Sequence, residues 1–122
     1  MRAHIASAAL TVAAALPLAT ATADAPDPDR LRGEMFISGA TLVDPPPEEP
    51  RDTHAYVSIE GTAARRMYDA LKVAATPDLC VSGRRLKRAG HVACSVGTKP
   101  SDARCDFAVN LVEGSLAPGL VC

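Results

Sequence analysis

Tryptophan is absent from the 122-residue chain, and phenylalanine and tyrosine supply two residues each. So few rings give no interleaved stacking surface, which argues against a single-strand nucleic-acid platform. No charge of one sign dominates: 13 basic and 14 acidic residues leave a formal net charge of −1. A general nucleic-acid binder, which needs a basic face, is not expected at that balance. Beyond residue 23 there is no apolar run of about 18 residues, so no transmembrane helix is expected in the mature chain. Close cysteine pairs are also missing. Cys80, Cys94, Cys105 and Cys122 follow one another at spacings of 14, 11 and 17, whereas structural zinc sites draw on C-x2-C pairs. Gly83, Gly90 and Gly97 do not form a phosphate-binding loop, and no G-x-S-x-G elbow occurs. Neither a cofactor nor a metal is expected, and no catalytic residue is assigned. Disorder throughout is excluded, because charge is balanced and the apolar inventory is adequate for a core.

What is present begins with an address. Arg2 gives a positive start, residues 5–18 are uncharged and rich in alanine, Pro17 breaks the run, and Ala21-Thr22-Ala23 fits a small-x-small cleavage site. Residues 1–23 therefore read as a signal peptide, cut before Asp24. The apolar run is about 14 residues, too short to cross a bilayer. The expected location is periplasmic or secreted, in a bacterial style of export, with the mature protein released as a soluble molecule. Residues 24–33, acidic and carrying Pro26 and Pro28, read as a flexible lead-in, and 34–122 as a single disulfide-stabilised domain.

An even cysteine count in a small exported domain reads as disulfides. Val92, Cys94 and Val96 alternate with polar or small neighbours, as do Cys105, Phe107, Val109 and Leu111. Residues 97–102 between them have turn chemistry. Folding a hairpin with Cys94 opposite Cys105 puts every apolar residue on one face, and a one-residue slip would not. Cys94–Cys105 follows from that register and Cys80–Cys122 by elimination.

The remaining pattern gives the fold. Residues 34–43 have β character; residues 44–52 form a proline-rich surface spacer; residues 53–60 alternate, with Ala55, Val57 and Ile59 on one face and His54, Tyr56 and Ser58 on the other. Gly61 and Thr62 offer a helix start, and Ala63, Ala64, Met67, Tyr68 and Leu71 fall on one helical stripe. Lys72 suits the helix C-terminus. The expected fold class is α+β: a small antiparallel sheet with one helix packed on one face, in the order strand-strand-helix-strand-strand, with two disulfides.

Chemistry-bearing residues are scattered. His54 and His91 lie on outward strand faces, and the sequence places no further ligand beside them. Glu48 and Glu49 are adjacent carboxylates, but a proline loop offers no burial to tune them. Two features stand out. The segment Arg84-Arg85-Leu86-Lys87-Arg88 contributes to a charge split: residues 24–60 carry nine acids and three bases, residues 61–122 five acids and nine bases. It reads as an anion-binding segment for acidic protein, anionic lipid or polymer, or as a charge-protected strand edge. The second is the tip Lys99-Pro100-Ser101-Asp102, closed at its base by Cys94–Cys105. A preorganised loop loses little entropy on binding, which suits an inhibitor. This tip resembles the Lys-Pro-His-Asp loop of the periplasmic inhibitors of vertebrate-type lysozyme, departing from it at Ser101. The resemblance implies insertion of the tip into an enzyme's active site.

The leading expectation is a small exported protein-binding module without catalytic activity: an inhibitor, immunity or accessory protein whose partner is another exported or envelope protein. Partner contacts are expected at Lys99, Pro100, Ser101 and Asp102, with Arg84, Arg85, Lys87 and Arg88 as anion-binding charge. The alternatives are an envelope-associated module that binds anionic lipid or polymer, and a small hydrolase using His54 or His91.

Overall fold

The computed structural model describes residues 28–120. The expected signal peptide, its cleavage point and Cys122 lie outside the described residues. One antiparallel sheet carries a single helix. The elements are β1 (Arg32–Ser38), β2 (His54–Glu60), α1 (Thr62–Ala70), β3 (Thr76–Pro77), β4 (Arg85–Ala89), β5 (Val92–Val96), β6 (Ala103–Asn110) and β7 (Ser115–Ala117). The sheet has seven strands in the order β1-β2-β6-β5-β4-β3, with β7 also paired to β6. The α+β class and the helix on the sheet therefore stand, but the strand count exceeds the four expected.

Register fixes which side chains share a face. Gly33, Ile59, Cys105, Cys94 and Lys87 stand opposite one another in a row across five strands. The next row runs Glu34, Ser58, Asp106, Ala93 and Arg88. Because alternate residues point to opposite faces, the first row belongs to the helix side and the second to the reverse. The core forms on the helix side from Ile59, Ala63, Ala64, Tyr68, Cys94, Val96, Ala103 and Cys105. Met67 and Leu71 pack against it. The apolar helical stripe thus meets the apolar strand faces that alternation implied.

Cys94 and Cys105 are bonded, directly opposite in the ladder, with Cα atoms 4.0 Å apart. Both are fully buried beneath the helix, where Cys105 Sγ lies 3.4 Å from the Ala64 carbonyl oxygen. By chain entropy, closing so short a loop stabilises the fold by about 3 kcal/mol. It is the one disulfide seen among the described residues. The second expected pair needs Cys122, outside them; Cys80 is not a free thiol.

Three expectations are corrected. The first strand starts at Arg32, inside the expected lead-in, and ends at Ser38 rather than at Val43. Leu42 and Val43 lie outside the sheet: the chain leaves β1 after Ser38 and bends at Ala40, and the Tyr56 hydroxyl donates to the Gly39 carbonyl at 2.9 Å. The basic segment is an edge only in part: β4 pairs with β5 along its length, and β3 covers its other side only at Arg85 and Leu86. The helix ends at Ala70, before Lys72. Its start carries no side-chain cap; Gly61, at φ 75°, makes the turn and its N–H reaches the Ala103 carbonyl at 3.0 Å. A left-handed φ of that kind favours glycine.

Candidate functional site

The sheet face away from the helix holds a cleft of about 670 Å³. Its floor is strand backbone from β2, β6, β5 and β4, so its side chains are the even-numbered residues of β2, β4 and β6 and the odd-numbered residues of β5. Arg84, Leu86 and Arg88 enter from one side; Glu60, Arg104 and Asp106 from the other; Asp78, Val81, Ser101, Asp102 and Leu120 form the rim. The basic segment and the hairpin tip, chosen separately from the sequence, border the same cavity.

Arg84 joins them. Its Nε donates to Ser95 Oγ at 3.1 Å and its Nη2 to the Ser95 carbonyl at 3.1 Å. Its Nη1 makes an ion pair with the Asp102 carboxylate. The Arg84 side chain is only 14% exposed, whereas Asp102 is 49% exposed. The turn beneath adds backbone bonds, Gly97 N–H to the Asp102 carbonyl at 2.8 Å and Asp102 N–H to the Lys99 carbonyl at 3.0 Å. A Cβ at Gly97 would collide with the Asp102 carboxylate. Asp102 thus holds the tip in shape, while Lys99, Pro100 and Ser101 project into solvent.

The rest of the basic segment divides by alternation. Arg85 and Lys87 point to the helix side. Arg85 donates to the Ala75 carbonyl at 2.7 Å. Lys87 Nζ donates to the carbonyls of Tyr68 and Leu71, both at 3.0 Å. These are helix-end carbonyls with no intrahelical partner, so the lysine closes the helix. Only Arg88, on the cleft side, keeps its charge free of an ion pair or side-chain hydrogen bond among the described residues. An anion-binding surface of all four cations is therefore not what the fold presents.

Across the cleft lies a polar network that the sequence reading did not single out. Arg104 Nε donates to both Asp106 oxygens, at 3.0 and 3.1 Å, and its Nη2 to Ser58 Oγ at 2.8 Å. Ser58 Oγ in turn donates to Asp106. Glu60 lies 3.7 Å from Arg104 Nη1. The signal was available: Ser58 and Glu60 alternate with Val57 and Ile59, and Arg104 and Asp106 alternate with Ala103 and Cys105. Ser58 is not poised as a nucleophile, because its hydrogen bond goes to a carboxylate already neutralised by Arg104, which is a poor base for a hydroxyl. His54 sits elsewhere, at the start of β2, with Nδ1 2.9 Å from Thr53 Oγ1. His91 lies in the turn between β4 and β5, on the far side of β6. No cluster of three His, Cys, Asp or Glu side chains able to hold a metal occurs among the described residues.

At the other end of the same face the proline-rich segment folds back over the sheet. Glu49 Oε1 accepts the Thr41 N–H at 2.6 Å. That hydrogen bond, with a second from Thr41, holds the Glu49 carboxyl below its ordinary range. The Tyr56 ring stacks on Phe36 with centroids 5.1 Å apart. Burial, and then the Glu49 charge, push the Tyr56 phenol above 10. The Glu48–Glu49 pair is therefore no acid–base couple: Glu49 ties down the loop.

No family model, characterised protein or solved structure matches this chain.

Proposed function

We propose that this chain is a small exported, non-catalytic protein-binding module, of the inhibitor, immunity or accessory kind, that offers a partner protein the tip at Lys99, Pro100 and Ser101 and the cleft behind it. The observation that carries this reading is the Arg84–Asp102 ion pair. It locks an exposed tip to the sheet before any partner arrives, so little conformational entropy remains to be lost on binding. The cleft adds a polar wall of paired charges, which suits a hydrogen-bonding protein surface better than a bare anion. Export and a second disulfide between Cys80 and Cys122 belong to the same proposal, since a cross-strand disulfide in a small domain suits an oxidising compartment.

The test uses a partner recovered from envelope extract by the intact protein. Lys99→Ala combined with Ser101→Arg is expected to weaken a stoichiometric complex by about 30-fold or more, as loss of an interface anchor does. Unchanged affinity would overturn the reading. The inhibitor form, which the tip's resemblance to the lysozyme-inhibitor loop suggests, is tested by adding the protein to a vertebrate-type lysozyme and measuring cell-wall hydrolysis. A second reading, contact with anionic lipid or polymer, rests on Arg88. It requires salt-sensitive retention on anionic vesicles that Arg88→Ala abolishes.

A further inference from the structure

The edge of β1 is open. Among the described residues β1 pairs with β2 alone, and its large apolar side chains stand in solvent, Met35 being 61% and Ile37 47% exposed. The orientation of its backbone groups follows from the ladder. Gly61 N–H donates to the Ala103 carbonyl and Leu111 N–H to the Thr53 carbonyl. Both pairs keep the β2–β6 register, so odd-numbered residues of β2 bond to β6. In an antiparallel ladder the alternate residues bond the other neighbour. Glu60, Ser58 and Tyr56 therefore bond to Arg32, Glu34 and Phe36. Met35 and Ile37 are left with their N–H and C=O groups toward the open edge, a template for another strand, and Gly33, at φ 156°, holds the same place in the alternation.

We propose that the occupant of this edge is a second copy of the chain, with the two β1 strands antiparallel about a two-fold axis at Gly33. Only odd-numbered residues can share hydrogen bonds across the edge, which limits the registers. An axis at Glu34 opposes two glutamates, and an axis at Arg32 opposes two arginines. An axis at Met35 sets Glu34 against the partner's Phe36. The axis at Gly33 sets Arg32 against the partner's Glu34, twice by symmetry. It also sets Leu31, 70% exposed, against the partner's Met35, again twice. Opposite charges meet on the cleft side and apolar side chains on the helix side. There Leu31 and Met35 border a shallow apolar groove with Val57, Ile59 and Phe107. The paired apolar residues close over its mouth. The isologous form of the contact is what a two-fold dimer requires. This edge is separate from the cleft, so the dimer stands or falls independently of the partner-binding reading.

Sedimentation of the purified protein, disulfides intact, over a dilution series tests the proposal. The wild type is expected to dimerise. Arg32→Glu and Glu34→Arg each place like charges opposite one another twice and are expected to raise the dimer dissociation constant about tenfold or more. The double variant, with both substitutions, restores opposite pairs and is expected to return to within about threefold of the wild type. Both positions are exposed, and circular dichroism checks that the fold is retained. A wild type that stays monomeric at all concentrations overturns the proposal, as does a dimer indifferent to the single swaps. A double variant no tighter than the singles overturns the Gly33 register.

Discussion

The ammonium of Lys87 lies 4.6 Å from the centre of the Tyr68 ring and 3.0 Å from the Tyr68 carbonyl oxygen. A strand residue thereby caps a helix whose own last turn contains no basic side chain. The pairing is charge-assisted and half-buried, and it places a cation at the negative end of the helix dipole. Lys87→Met keeps most of the apolar stem and removes the donors. It is expected to cost about 1–3 kcal/mol in urea unfolding, while Arg88→Ala, exposed in the cleft, changes stability by no more than about 0.5 kcal/mol. Equal effects would show that Lys87 does not act as the cap.

Alternation made much of this legible. The period of two around Cys94 and Cys105 gave the hairpin and its disulfide, because a slip would have turned Phe107 outward. The helical stripe of Ala63, Ala64, Met67, Tyr68 and Leu71 gave the covering helix. The same alternation splits the basic segment, which reads as a charge-protected strand edge and stands outside the four expected strands. β4 has one large apolar residue, Leu86, and is held by partners distant in sequence: the helix end for Lys87, the Ala75 carbonyl for Arg85. β3 and β7, of two and three residues, are too short for any period. The pairing of β2 with β6 brings together Ser58 and Asp106, 48 positions apart, and no local pattern encodes so distant a contact. The cleft depends on that pairing.

The Arg84–Asp102 pair should behave as a lock and not as a major source of stability. Asp102 is half exposed, so solvent screens the attraction. A double-mutant cycle with Arg84→Ala and Asp102→Ala is expected to give a coupling of about 0.5–1 kcal/mol. The larger effect should be local. Amide exchange at residues 97–102 is expected to rise in Asp102→Ala, with the β2–β6 amides unchanged. A tip whose exchange is unaffected would remove the basis for preorganisation.

Disulfide loss separates the two halves of the covalent framework. Replacing Cys94 and Cys105 together by alanine is expected to lower stability by about 3 kcal/mol, with some further loss from the packing of Ala64 over the vacated sulfurs. Peptide mapping without reduction is expected to find Cys80 joined to Cys122 beside the Cys94–Cys105 pair. A Cys80–Cys94 peptide would contradict the hairpin register.

Tyr56 should report on the folded proline-rich segment through alkaline pH. The fold favours its neutral phenol, because burial and then the charge of Glu49 raise its value above 10. A group raised in the folded state contributes its full stabilisation below the unfolded value near 10, and loses it as pH climbs through the folded one. In a Tyr68→Phe background, where Tyr56 is the remaining tyrosine, tyrosinate absorbance should have its midpoint above 10 and fall back toward 10 on denaturation. Tyr56→Phe should remove this alkaline loss of stability. At neutral pH it should cost roughly 1–2 kcal/mol, because the Gly39 and Ala40 carbonyls lose their donor. Glu49→Gln removes the nearby negative charge, so it should lower the Tyr56 midpoint without abolishing its elevation. A midpoint in Glu49→Gln no lower than in the parent would show that the carboxylate does not reach the phenol, and would leave burial as the whole cause.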